Sequence, residues 1–529
     1  MVFDAIIKNG MILDGSGAEA YRADLGVVGK RIAAIGDFSA AGAGEVLDAA
    51  GRTVAPGFID AHRHADTAIF RDGFGKAELL QGLTTIINGN CGLSAAPVFG
   101  PHKGEVAAYL WPVTGELKDT PVESLAVYND ALKRRPLPLH AGMLVGLGTV
   151  RADVAGFSKD LSDADYRAIH SLLERTLSEG ALGVSLGLGY APECFFDTAG
   201  LIRALEPIRN THVPLSVHMR SDSMNLLPSI DEALAIAKAL RVPLEISHLK
   251  AVGRARWGTL VCDALDKIRR AREDGLDVLC DAYPYTAGST QLLHVLPPEF
   301  LIGGTDAIAK RLIDPAAQRI LKERLETGTD FDNYAMLLGW ENIEISSVRL
   351  PSDKHFVGKT IAEAAEDAEP WRFAAGLLSR NGCAVTMIDR LTHEDDIAAI
   401  YKAPFSYVIS DATYPESGIP HPRVYGTFVH VLERFVKERK TLTLAEAVRK
   451  MTRMPADRYH LMNKGRIEPG ADADLLIFDP DRVHERATFE NPAQCSIGID
   501  TVMVNGAIAV KDGVLTGKMN GTVLERRSI

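Results

Sequence analysis

"PLSVHMRSDSMNLLPSIDEALAIAKALRVPLEISH", residues 214–248, holds two short β-rich runs with a helical stretch between them. Pro214 to His218 and Pro243 to His248 carry the strand signal, and Ser229-Ile230-Asp231-Glu232 reads as a capping box opening an Ala/Leu-rich helix that runs to Leu240. Strand, helix and strand in quick succession spell a βαβ unit with parallel strands. Both runs end in histidine.

The same grammar recurs. Ser162 and Asp165 start a helix running to Glu179, Gly180 stops it, and "ALGVSLGLGY" follows. Thr392 and Asp395 open another helix before "SYVISDA" at 406–412. Strand candidates are Gly57 to His62, Thr84 to Asn88, Leu139 to Leu144, Ala181 to Leu186, Pro214 to His218, Leu244 to His248, Val278 to Tyr283, Ala384 to Ile388 and Ser406 to Asp411. These are nine where a (β/α)8 barrel needs eight, so one, in the part after residue 290, must lie outside it. Residues 1–55 and 466–529 break the alternation with short β runs and Asn-Gly or Asp-Gly hairpin signals. The expected architecture is α/β: a TIM-like (β/α)8 barrel over 56–465, a small β-sandwich domain built from 1–55 plus 466–529, and an inserted lid at 291–365, where the pattern turns irregular.

Composition narrows the function. The 58 basic and 69 acidic residues are interspersed and leave a net charge of -11, which argues against a nucleic-acid footprint and for a small-molecule substrate. No stretch approaches 18 consecutive apolar residues, and "MVFDAIIKNG" lacks the charge and apolar pattern of a signal peptide, so the expectation is a cytoplasmic protein without a membrane partner. Six cysteines without paired spacing argue against a disulfide framework and read as buried thiols. Oligomeric state stays open.

Active sites of such barrels gather at the C-terminal ends of the strands. Residues of metal-binding type sit there repeatedly. In "GFIDAHRHAD" (57–66), His62 and His64 project to one side of a strand, Cys91 follows the second strand in "NGNCG", His218 and His248 end later ones, and Asp411 closes the last. A bare His-x-His is more often a pair of structural histidines, but fifteen histidines scattered at random would rarely place four at these ends. Imidazole and thiolate suit Zn²⁺, which lowers the pKa of a bound water from about 15.7 towards 7 and polarises a carbonyl. A carboxylate beside that water, here Asp411, is then the natural proton carrier between water and leaving nitrogen.

"GFIDAHRHAD", "QGLTTIINGNCGLSAAP", "GALGVSLGLGYAP", "SVHMRSDS", "EISHLK", "DAYPYTAGST", "SDATYPESGIPHPRVYGTF" and "GRIEPGADADLLIFDP" together resemble the amidohydrolase superfamily, and more closely its D-aminoacylase (N-acyl-D-amino-acid deacylase) branch. The resemblance runs nearly end to end and is weakest over 291–400. It implies one or two zinc ions: His218, His248 and Cys91 on the tightly bound ion, with Cys91 bridging to a second held by His62 and His64. It further implies Asp411 as proton shuttle, Arg423 and Tyr283 on the α-carboxylate of an N-acyl-D-amino acid, Lys250 on a carboxylate or the scissile carbonyl, and Ser289 and Tyr190 along the pocket.

There are departures. "GVSLGLGY" offers no lysine to be carboxylated between two metals, which disfavours a hydantoinase, dihydroorotase or isoaspartyl-dipeptidase reading. Asp411-Ala412 stands where relatives carry Asp-Gly, and Leu147 stands where a histidine is expected. A non-catalytic scaffold on the same fold ranks last, because such proteins lose ligands and this chain keeps the set. His421 is read as holding loop geometry, Arg220 and Asp222 as orienting His218, the other cysteines as packing, and His102, His140, His170, His212, His294, His355, His393, His430, His460 and His484 as surface or structural residues.

Overall fold

The computed structural model describes residues 2–38 and 40–526, and its organisation is mixed α/β. Parallel pairings run from Phe58–Asp60 to Leu83–Asn88 and on to His140–Met143. After Leu144 the chain resumes as Val145–Gly146, which pairs with Val184–Gly187; parallel steps then lead through Leu215–His218, Leu244–Ile246 and Val278–Ala282 to Ser406–Val408. The run returns to its start, because Ala412–Thr413 pairs in parallel with Arg63–His64 and the Asp411 amide donates to the His62 carbonyl at 2.9 Å. The ninth candidate stands apart. Val385–Arg390 pairs antiparallel with both Ala287–Gln291 and Ile343–Val348.

Helices follow their apolar spacing. In Asp163–Ser178 the buried residues Ile169, Leu172, Leu173, Thr176 and Leu177 recur at three- and four-residue intervals on one face, and Ser162 and Asp165 form the expected capping box. Gly180, at φ +107°, follows the helix end, as expected of a stop signal.

Two expected starts are displaced. The helix read from Ser229 begins three residues earlier and spans Leu226–Leu240; Ser229 lies inside it, and its hydroxyl accepts the Ser221 amide at 3.1 Å. Pro228 hid the true start, yet in a first turn its missing N–H leaves no bond unmade. The second helix spans Glu394–Lys402 and is capped by the His393 ring accepting the Asp395 amide, not by Thr392.

The segment read as irregular, 291–365, instead carries regular elements and belongs to a larger inserted unit. Ala287–Gln291, Ile343–Val348 and Val385–Arg390 form an antiparallel sheet, with helices such as Gly304–Arg311, Pro315–Thr327 and Pro370–Arg380 in the connections. Both chain ends join a nine-stranded sheet, in which Thr53–Pro56 pairs antiparallel with Leu475–Phe478. Ile7, Ile12, Leu25, Val27, Val54, Leu475, Ile477 and Met503 pack into its own apolar core. Among the described residues no helix is long and apolar enough to cross a membrane. Cys280 and Cys383 are buried thiols as expected, but Cys194 and Cys495 are half-buried and Cys262 is exposed.

Arg63 ties the ring together. Its side chain is fully buried, and its guanidinium reaches Asp60 (2.9 Å), Glu78 (2.8 Å), the Ser410 hydroxyl (3.2 Å), the Val424 carbonyl (3.0 Å) and the Tyr414 hydroxyl (2.5 Å). Five contacts use every N–H that an arginine owns. The residue between the two histidines of "HRH" therefore fastens the first strand to the segment carrying Asp411. Arg63→Met leaves Asp60 and Glu78 buried without their cation and is expected to destabilise the fold by about 3 kcal/mol. Urea unfolding checks this, and a change below about 1 kcal/mol would refute the role.

Candidate metal centre and active site

Cys91 stands where two groups of side chains meet. His62, His64, Cys91 and Asp411 form one group and Cys91, His218 and His248 the other, with the ligand atoms of each group within 4.8 Å of one another. Cys91 Sγ lies 3.2 Å from His62 Nε2 and 3.5 Å from His248 Nε2. Asp411 Oδ1 lies 3.3 Å from both His62 Nε2 and His64 Nε2. The four histidines and Cys91 are all buried. Residues from five separate stretches of chain thus converge, as the strand-end pattern requires.

Their backbones are held under constraint. Cys91 (φ +54°), His248 (φ +37°) and Asp411 (φ +52°) all adopt the left-handed region that non-glycine residues avoid. Such conformations cost of order 1–3 kcal/mol and persist where surroundings over-determine them. Here the His248 amide is bound by the Asp281 carboxylate, and the loop after Cys91 is clamped from behind. Gly92 sits at φ +70°, and a Cβ there would stand 1.9 Å from Glu193 Oε2. Glu193 also accepts the Gly187 amide at 2.9 Å, and burial pushes its carboxyl up to about 8.

Electrostatics favour a cation at the centre. Burial alone would push the Cys91 thiol up, but the facing His62 and His248 rings hold it well below its usual range. Burial likewise opposes a charged Asp411, yet the Arg423 guanidinium and the two histidines hold its carboxyl well below the usual carboxylate range. For His62 and His64 burial opposes protonation, but Cys91 and the neighbouring carboxylates prevail, raising His62 well above its ordinary value and His64 to about 9. Thiolate and carboxylate among imidazoles is the donor set of a divalent-ion site, and the Nε2 atoms of His62 and His64 turn towards it, while His62 Nδ1 faces Asp281 Oδ2 at 3.9 Å behind. The residues present fit zinc.

The remaining predicted site residues separate into two positions. Lys250, Tyr283, Ser289 and Tyr190 line the cavity beside the metal group. Lys250 Nζ is paired with Asp222 at 2.5 Å and lies 2.9 Å from His248 Nδ1; burial opposes its charge, but Asp222 holds it cationic. Tyr190 Oη meets Thr290 Oγ1 at 2.8 Å. Arg423 stands behind the cavity, where it donates to Asp411 Oδ2 and to the Ser289 carbonyl, each at 2.9 Å. His421 faces the Ala287 carbonyl and receives the Arg423 amide, which suits its reading as a loop holder.

Arg220 is bound to Glu232, and it is Lys250 that engages Asp222. His294, read as surface or structural, instead lines the cavity, its ring 5.0 Å from that of Tyr190 and 6.1 Å from that of His218. Tyr334 and Asp389 also line it, brought there by the inserted segment. No spacing signal marks these three in the sequence.

A model of the amidohydrolase family matches residues 45–207 and 249–510. The chain is 33% identical to a D-aminoacylase of Alcaligenes xylosoxydans xylosoxydans, over 99% of its own length and 98% of the relative's. It is 34% identical to an N-acyl-D-glutamate deacylase of the same organism, over 95% and 93%. Among solved structures it matches an N-acyl-D-glutamate deacylase of Bordetella bronchiseptica complexed with zinc and a phosphonate inhibitor, a mimic of the tetrahedral intermediate. That match has a TM-score of 0.85 and 32% identity, and covers 99% of this chain and 100% of the other.

Proposed function

The chain belongs to the amidohydrolase family, and from that premise we propose that it hydrolyses N-acyl-D-amino acids to a carboxylate and a free D-amino acid, with zinc as cofactor. The observation that carries this reading is Cys91, shared between two histidine groups within reach of Asp411. His218, His248 and Cys91 would hold one ion, and His62 and His64 with Cys91 a second. Bound zinc supplies a Lewis acid that polarises the amide carbonyl and a water of lowered pKa.

The protein's own residues supply positioning and proton transfer. Arg423 occupies Asp411 Oδ2 and so turns Oδ1 towards the histidines, where it can take a proton from water and deliver it to the leaving nitrogen. Lys250 and Tyr283 face the cavity and are assigned the substrate's α-carboxylate, with Ser289 and Tyr190 shaping the wall. Arg423, first expected on that carboxylate, is assigned to orienting Asp411.

The parallel strands that return on themselves support a (β/α)8 barrel over 56–465. The terminal sheet supports a composite β domain of 1–55 plus 466–529. The inserted antiparallel unit, of which 291–365 is part, supports a lid because it furnishes one wall of the cavity. Six cysteines, none disulfide-bonded, suit a cytoplasmic location.

Purified protein of measured metal content, offered N-acetyl-D- and N-acetyl-L-amino acids with hydantoin and dihydroorotate as controls, is expected to release amine from the D series alone. Absence of D-selective release would overturn the proposal.

A further inference from the structure

Among the described residues lining the cavity, one carboxylate has neither oxygen bonded by another residue. Asp389, on the inserted strand Val385–Arg390, is 1% exposed and lines the same cavity as Cys91, His248 and Asp411, yet neither of its oxygens accepts a hydrogen bond from another residue. A buried carboxylate without a partner is costly unless a counter-charge arrives. The two nearby cations each pair with a different carboxylate, Lys250 with Asp222 at 2.5 Å and Arg423 with Asp411 at 2.9 Å, and neither hydrogen-bonds Asp389. Burial pushes the Asp389 carboxyl up to about 7 despite Lys250 and Arg423, a measure of how incompletely they compensate it. Gly288 borders it on the cavity wall, where a Cβ would crowd Leu391 Cδ2 at 2.9 Å, Asp389 Oδ1 at 3.0 Å and Tyr283 Oη at 3.2 Å.

Resting on the hydrolase reading above, we propose that Asp389 is the specificity residue of the side-chain subsite and that the preferred substrates are N-acyl-D-amino acids with a cationic side chain, ammonium or guanidinium. Such a substrate brings two charges that the cavity can match. Its α-carboxylate meets Lys250, and its side-chain cation meets Asp389. A neutral side chain leaves the carboxyl unpartnered, and an acidic one places like charge against it.

Wild-type enzyme is assayed on N-acetyl-D-lysine, N-acetyl-D-arginine, N-acetyl-D-norleucine and N-acetyl-D-glutamate; norleucine matches the lysine side chain without its terminal nitrogen. The expected result is kcat/KM at least about tenfold higher for lysine or arginine than for norleucine, with glutamate lowest. Asp389→Asn is expected to collapse the lysine-to-norleucine ratio about tenfold or more. Faster turnover of norleucine or glutamate than of both basic substrates, or an unchanged ratio in a folded Asp389→Asn variant, overturns this inference and leaves the hydrolase reading intact. Turnover of no D-substrate overturns both.

Discussion

Asp411→Asn is expected to keep its metal and lose about 10²–10⁴-fold in kcat. The amide oxygen of asparagine can still accept from Arg423, so the position of the side chain is preserved while its ability to take a proton at neutral pH is removed. His62 and His64 lose an anionic neighbour at 3.3 Å but keep Cys91 within the same group. Steady-state kinetics beside elemental analysis of the same sample separates the two effects. A rate within threefold of wild type would end the proton-carrier assignment, and loss of metal would move Asp411 to the ligand set.

Cys91→Ala is expected to have the larger effect on metal retention, because it is the single residue common to both ligand groups. Removing it leaves each ion with imidazoles and no thiolate, and metal content should fall to background after dialysis. Activity should fall at least about 10³-fold with it, since both the water and the carbonyl depend on the ion. Stability supplies an independent readout. An ion held at 100 times its dissociation constant stabilises the fold by about 2.7 kcal/mol, so chelator should lower the wild-type Tm and leave that of Cys91→Ala unchanged. A variant with wild-type zinc content would show that the shared thiolate is dispensable.

Much of this site was legible because its residues obey short-range rules. His62 and His64 show themselves by period-2 spacing, although a bend at Ala61 and His62 separates strand Phe58–Asp60 from Arg63–His64, and His218, His248 and Cys91 by their places at or after the ends of recognisable strands. The cavity's other wall was not. Ala287–Gln291 meets Val385–Arg390 about a hundred residues later, and antiparallel partners that far apart leave no local periodicity linking them. Asp389, Tyr334 and His294 reach the cavity only through that unit, so nothing near them in sequence announces a role. The misplaced caps are a milder case: Ser229 satisfied the capping pattern, but the helix already had a turn in hand at Leu226, where packing of the buried Leu226 and Ile230 outweighed the local signal.

The pairing of Thr53–Pro56 with Leu475–Phe478 has a consequence for biosynthesis. About 420 residues separate the partners, so at some 5–20 residues per second the early strand waits about 20–80 s on the ribosome before its neighbour exists. Through that interval the strand can pair with Met11–Ile12 on one side, but its other edge, carrying Val54 and Ala55, stays open and is of the kind that nascent chains lose to aggregation unless a holding chaperone covers it. Premature termination anywhere before residue 475 would release a polypeptide with that edge permanently open, whichever of the candidate site residues it already carried.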